Sequence, residues 1–506
     1  MAQISDIQGN NDLLLLIFLF PLLYFIFKLV VKSWFSSSYS PRIPPGPIPW
    51  PIIGNIFDLA GGKMLHITLC NLAQKYGPLV SLKLGTQYLV IGSSPSAAME
   101  ILKIHDKILS AHRVPSAAPA TQAELNQASI FWTESCNDRW KFIRTVLRNE
   151  MLSGKVLESH ANLREKKIME MVVHLRANEG QEVKVKEVVY ATVFNMMSNI
   201  LLSRDLLGFQ DDELADGGLV KGLLKRLTEI VSAPNVSDFY PVLSILDLQG
   251  LRKKSKELAH RVQAIWDPII EEKRKGVADS LRSQDFVDSL ISNGYTNGQI
   301  NQLLMELFNA GTDTSTTTIE WTMAELMRNP KSLMKVREEI GKEISEDFPK
   351  ESYLMQLPYL QACVKETLRL HPPVPFLLPH RAIESCQVLS YTIPKNAQII
   401  TNVWAIGRDP SFWDEPLKFE PERFVNSAME FKGNEFEFLP FGSGRRMCPG
   451  LPLAARIVPL FIASLIHFFN WSLPHGNNPE KLDMNEKLDA TLQMNQPLVL
   501  IPTARK

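Results

Sequence analysis

The chain has 506 residues, and its 54 Lys+Arg balance 54 Asp+Glu, so a chain-wide basic footprint for nucleic acid is excluded. Charged residues at 21% and hydrophobic residues at 45% exclude a disordered or collagen-like chain. Five cysteines, with no CxxC spacing among them, argue against both a disulfide framework and a structural zinc site. The length corresponds to about three average domains, and it suffices to bury a large core around a cofactor.

The first predicted element is a membrane anchor. Leu13 to Phe27 is a mostly apolar, uncharged run, and Leu29, Val30 and Val31 extend it past Lys28. At about 1.5 Å per residue the stretch 13–31 reaches about 28 Å, close to a hydrocarbon core. Lys28 lies near one end, where it can snorkel. Asp6 and Asp12 precede the run, whereas Lys32 and Arg42 follow it, so the large C-terminal part is expected in the cytosol. A cleaved signal peptide fits less well, because no Lys or Arg precedes the long apolar run. On that topology the sequons at Asn235 and Asn470 stay unglycosylated. Next comes a proline-dense stretch from Pro41 to Pro51, which reads as a stiff, extended spacer. The division expected is a lumenal N-terminus 1–12, an anchor 13–31, a linker and hinge 32–54, and one large domain 55–506.

Within that domain Val80–Ile91 reads as two short strands around Gly85-Thr86. Apolar spacing predicts helices over 137–175, 185–205, 252–275 and 299–328. The polar stretch Glu271–Arg282 is expected to begin a surface loop. Residues 387–403 return to strand patterning, with Pro394-Lys395-Asn396 as a turn. The apolar segment 451–469 follows Pro449-Gly450 as a buried helix would. The fold class is therefore mainly α with a minor β-sheet part, preceded by a transmembrane helix.

Four constellations carry chemistry. In Phe441-Gly442-Ser443-Gly444-Arg445-Arg446-Met447-Cys448-Pro449-Gly450, glycines permit close backbone approach and two arginines favour a thiolate. The following helix aims its N-terminal dipole at the sulfur. An inert buried cysteine is the bland alternative. A phosphate loop is not, because no GxxxxGK[ST] is present. In Ala310-Gly311-Thr312-Asp313-Thr314-Ser315, glycine and clustered hydroxyls are poor choices inside a helix. They suit a bend or an opened hydrogen-bond ladder beside a ligand, with an acid next to an alcohol to relay protons. Glu366 and Arg369 share a helix face, and Arg423 offers a second guanidinium, so a structural ion network is expected. Trp140 and Arg144, four residues apart, can clamp an anionic group.

Together these motifs resemble a cytochrome P450 over essentially the full chain, and more closely a plant microsomal one. FGSGRRMCPG fits the haem-binding loop, AGTDTS the oxygen-activation segment, ETLR and PERF the ion network, PPGP the hinge, and WKFIR the W-x-x-x-R element. The resemblance implies a haem-thiolate monooxygenase of the endoplasmic reticulum membrane, single-pass, with its catalytic domain facing the cytosol. The cofactor implied is haem b with Cys448 as axial thiolate. Phe441 would pack on the proximal side. Trp140, Arg144, Arg446 and His380 would hold the haem propionates. Thr314 would serve bound oxygen, with Asp313 feeding protons. The electrons would come from NADPH through NADPH–cytochrome P450 reductase, docked on the basic side that includes Arg445. Further partners implied are membrane lipid and a small apolar or amine-containing plant metabolite. A haem-thiolate isomerase, needing no external electrons, and a haem sensor are the alternatives from other classes.

The family's substrate-contacting regions fall on 108–131, 205–245, 302–313, 374–379 and 488–493. Their candidate pocket residues are Phe308, Asn309, Val374, Phe376, Leu377, Ala490 and Thr491, a largely apolar set. For Phe308 and Phe376, core packing is an equally good reading. HDKILSAHRV, MELFNAGT, IEWTMAEL and NVWAIGRDP resemble the plant alkaloid P450 group, which includes littorine mutase and N-methylcoclaurine 3'-hydroxylases. Asp313 stands where that group often has Glu, and Asn309 where it has a small Gly. The expectation favours littorine mutase, with rearrangement toward hyoscyamine aldehyde. A benzylisoquinoline 3'-hydroxylase is the alternative, and a terpenoid or phenolic hydroxylase remains open.

Overall fold

The structure is a computed structural model that describes residues 22–26, 42–59, 64–209, 216–276, 285–344, 348–425, 427–476 and 478–505. Of the expected anchor only 22–26 falls within them, and it is helical; 1–12 and the rest of 13–31 lie outside the described residues. Of the proline-dense spacer, 42–51 is described. It lies on the domain rather than free of it: Ser81 donates through N–H to Pro45 O and through Oγ to Pro44 O, and Thr392 N–H donates to Arg42 O.

The longer helices are α1 (Leu65–Tyr76), α2 (Asp138–Leu147), α3 (Ala161–Ala177), α4 (Val185–Leu202), α5 (Asp216–Ser232), α6 (Leu251–Gly276), α7 (Asn297–Arg328), α8 (Pro330–Glu343), α9 (Pro358–Leu370) and α10 (Leu451–Phe468). The strands are β1 (Leu79–Leu84), β2 (Gln87–Gly92), β3 (Ala111–His112), β4 (Val183–Lys184), β5 (His380–Arg381), β6 (Cys386–Val388), β7 (Tyr391–Ile393), β8 (Gln398–Thr401), β9 (Phe469–Ser472), β10 (Glu486–Leu488), β11 (Leu492–Met494) and β12 (Val499–Ala504). The mainly helical reading holds. The single helix expected over 137–175 does not. Past α2 it continues as a π-helical turn, Arg148–Leu152, and then breaks, because Ser153 takes an extended conformation and Gly154 starts a new short helix. The helix expected over 185–205 stops at Leu202, where Ser203 adopts a left-handed cap. Of the surface loop expected to start at Glu271, residues through Gly276 belong to α6, and 277–284 lie outside the described residues.

Two helices run through the main core. α7 starts at a capping box between Thr296 and Gln299 and stays buried until Phe308. Residues 309–311, 313 and 314 are half-buried, and burial resumes at Ser315. The chain remains helical across that window. Gly311 has a packing reason instead: a Cβ there would meet Met197 Sδ of α4 at 3.0 Å. α10 is, among the described residues, the one helix long and apolar enough to cross a bilayer, yet it is mostly buried in the core.

The five-stranded sheet has the order β1-β2-β8-β5-β3, with β2 and β8 parallel. Pairing of β3 with β5 sets His112 opposite His380. β10 and β11 form a hairpin whose turn carries Ala490 and Thr491.

Candidate active site

Cys448 lies just before the N-terminus of α10. Its N–H donates to Phe441 O at 3.0 Å, which closes the loop. Gly444 is obligatory there: its φ is +69°, and a Cβ would meet Leu102 O at 1.9 Å. Burial pushes the Cys448 thiol up, while the N–H groups of Gly450 and Leu451 and the charge of Arg144 draw it down. These are the donors that would stabilise a thiolate.

A cavity of about 930 Å³ lies between this loop and the half-buried window of α7. Its wall contains Cys448, Phe441, Arg446, Trp140, Arg144 and His380, together with Asp313 and Thr314. Trp140 is fixed by the Asn137 cap of α2 and donates through Nε1 to Ile130 O at 3.1 Å. Guanidinium carbons of Arg446 and Arg144 lie 4.7 and 5.3 Å from its ring, so the indole holds two cations by its faces. Arg144 donates to Met447 O at 2.9 Å, and Arg446 donates to Ser110 O at 2.9 Å and Thr133 O at 2.7 Å.

His112 also lines the cavity, with its ring centroid 5.2 Å from that of His380. Burial, the neighbouring His380 and Arg446 hold His112 well below the usual imidazole range. Burial and Arg446 push His380 down to about 4. His112 Nε2 and His380 Nδ1 are buried without a hydrogen-bond partner.

Asn309, Val374, Leu377, Ala490 and Thr491 reach the cavity wall. Phe308 does not: it is 1% exposed and stacks between Phe194 and Trp266 at 4.7 and 5.4 Å. Phe376 packs against a separate small core that includes Leu69, Val80 and Ile400. Both pocket assignments are therefore corrected, because each ring points where apolar neighbours were already dense. The wall also has members not singled out from sequence: Phe131, Trp132, Glu306, and Leu227 and Val231 of α5. A lone Glu within the apolar run MELF was the available signal for Glu306, since a buried carboxylate demands partners.

Thr314 Oγ donates to Ala310 O at 2.6 Å, and Thr318 and Thr322 bond back in the same way. Burial raises the Asp313 carboxyl above its ordinary value, against the pull of Lys186, Lys225 and Lys221. Arg369 forks onto Glu366 with contacts of 2.7 and 2.8 Å, and Arg423 Nε reaches Glu366 at 3.3 Å. Arg369 also donates to the carbonyls of Gly407, Pro416 and Lys418.

Residues 44–501 match the family model for cytochrome P450. The chain belongs to the cytochrome P450 family. This P450 is 47% identical to the probable (S)-N-methylcoclaurine 3'-hydroxylase isozyme 2 of Coptis japonica over 483 residues, 95% of this chain and 97% of that relative. It is 44% identical to corytuberine synthase of the same plant over 482 residues, 95% and 97%. It is 40% identical to berbamunine synthase of Berberis stolonifera over 469 residues, 92% and 94%. It is a P450 monooxygenase of plant alkaloid metabolism.

Family membership implies haem b and electron delivery from NADPH through the reductase. The residues present fit that cofactor. Cys448 offers the thiolate, and the two orphaned imidazole nitrogens belong to histidines that feel the charge of Arg446 and line the same cavity, where propionates would supply acceptors. When bound, haem supplies the activation of dioxygen. The chain's own contribution would be to hold the sulfur and neutralise the carboxylates, with Asp313 and Thr314 on the facing wall of the cavity.

Proposed function

We propose that this P450 is a 3'-hydroxylase of N-methylcoclaurine-type benzylisoquinolines. The observation that carries it is the 47% identity to an N-methylcoclaurine 3'-hydroxylase over 95% of the chain. None of the three relatives above is named for littorine, so the expected littorine mutase gives way to its alternative. The cavity supports this reading. Phe131 and Trp132 offer aromatic faces, Val374, Leu377 and Ala490 offer apolar contacts, and Asp313 is an acid within reach of an amine. Thr314 and Asp313 are the proton-handling pair, and Glu366, Arg369 and Arg423 lock the loop that presents Cys448.

The enzyme is anchored in the endoplasmic reticulum membrane by residues 13–31, follows the 32–54 hinge, and faces the cytosol with residues 55–506. Exposed apolar side chains support that placement. Ile52 is 81% and Ile245 86% exposed, with Ile48, Trp50, Val242 and Leu246 also exposed. Tyr240 donates from its hydroxyl to Ile52 O at 3.0 Å, which ties the two segments into one patch. Reductase and lipid are thus its macromolecular partners. Microsomes carrying this enzyme and reductase should convert (S)-N-methylcoclaurine to a 3'-hydroxylated product with NADPH. Exclusive turnover of littorine would reject the proposal.

A further inference from the structure

Glu306 sits about two helical turns before Asp313 on α7 and lines the cavity, although it is only 5% exposed. Four donors converge on its carboxylate. Ser129 Oγ and Gln302 Nε2 donate to one oxygen, and the N–H groups of Ile130 and Phe131 donate to the other. Ile130 N–H is the close backbone donor at 2.7 Å, and Phe131 N–H the longer one at 3.4 Å. The opposite side of the same short segment is held from the cofactor side. Ile130 O accepts from Trp140 Nε1 and Arg446, Phe131 O accepts from His112 Nδ1, and Thr133 O accepts from Arg446. Ser129 Oγ in turn accepts from Trp132 N–H at 2.7 Å. The segment thus bridges α7 and the arginine–indole cluster, and its side chains Ile130, Phe131 and Trp132 face the cavity.

We propose that Glu306 is a positioning residue: its carboxylate fixes the Ser129–Trp132 backbone as an aromatic wall and thereby sets how aryl-bearing ligands fit. No other group on α7 bonds the two backbone N–H groups of Ile130 and Phe131, both of which donate to one Glu306 oxygen. An amide in its place keeps a single acceptor oxygen for the four donors, so the Ser129–Trp132 segment loses part of its anchorage. This inference rests on the chain being a P450, not on the benzylisoquinoline reading.

The test uses haem-loaded, full-length enzyme and two spectral probes, imidazole and 1-phenylimidazole. Imidazole is too small to need the wall; the phenyl ring needs it. Glu306→Gln should weaken 1-phenylimidazole about tenfold, the equivalent of one hydrogen bond, and leave imidazole unchanged. Ser129→Ala, which removes one of the four donors without burying an unpaired charge, should weaken it about threefold in the same selective way. Equal weakening of both probes, or no weakening in either variant, overturns the proposal. Should Glu306→Gln fail to retain haem, the Ser129→Ala result alone decides. The phenyl probe makes the outcome independent of whether N-methylcoclaurine is turned over.

Discussion

Arg369 is fully buried and makes contacts to Glu366 and to three carbonyls, those of Gly407, Pro416 and Lys418. Glu366, also fully buried, retains the Glu420 N–H at 2.9 Å and Arg423 at 3.3 Å if Arg369 is removed. Breaking one partner of such a pair leaves an under-compensated buried charge and costs about 3–5 kcal/mol. The three orphaned carbonyls place Arg369→Ala toward the upper end. Against a total stability of about 5–15 kcal/mol, that loss unfolds much of the chain or empties it of haem. Arg369→Lys keeps the charge but loses the planar fork, so its cost should be smaller, about 1.5–3 kcal/mol. The assay is haem content per protein together with the thiolate-type Soret band of the reduced carbon-monoxide complex. Arg369→Ala should retain little of either, and Arg369→Lys an intermediate amount. Wild-type haem content in Arg369→Ala would refute the reasoning.

Phe308→Ala should lower stability by about 3–5 kcal/mol, seen as a fall in melting temperature, while changing KM little. Leu377→Ala, at the cavity wall, should do the reverse. Gly311→Ala gains about 1 kcal/mol of helix propensity but crowds Met197, at a cost of about 1–3 kcal/mol. Because the Cβ meets only the flexible end of Met197, the net loss in the single variant should lie between none and about 2 kcal/mol, and adding Met197→Ala should be less harmful in that background than in the wild type. Burial raises Glu306 from its ordinary 4.5 to about 7, so the folded protein binds that proton more tightly than the unfolded chain. The stability it contributes is present below about 4.5 and is lost as pH rises through about 7, a swing of about 3 kcal/mol. Wild-type melting should fall more steeply across that window than Glu306→Gln; parallel profiles would contradict the assignment.

The cysteine loop is legible in sequence because its chemistry demands particular residues at adjacent positions: glycine where a Cβ strikes Leu102 O, and a cysteine just before a helix start. Helix α7 and the β1–β2 hairpin are legible from periodicity. Core and cavity faces of one helix are not, since both are apolar, so Phe308 and Asn309 could not be told apart until their neighbours were known. Gly311 signalled something unusual, but its reason is Met197 on another helix. Glu306 takes three of its four donors from residues 129–131, remote in the chain, and nothing local announces them. The break after α2 escaped because apolar spacing continues through it while Ser153 turns the backbone away. The substrate was the least legible, because an apolar wall constrains size and shape more than identity.

The most direct measurement is product analysis after incubating microsomes containing this P450, reductase and NADPH with (S)-N-methylcoclaurine, alongside a Cys448→Ser control. A benzylisoquinoline 3'-hydroxylase gives the 3'-hydroxylated product, dependent on NADPH and absent with Cys448→Ser. Unchanged N-methylcoclaurine from haem-loaded enzyme, or product formed without NADPH, would contradict that activity.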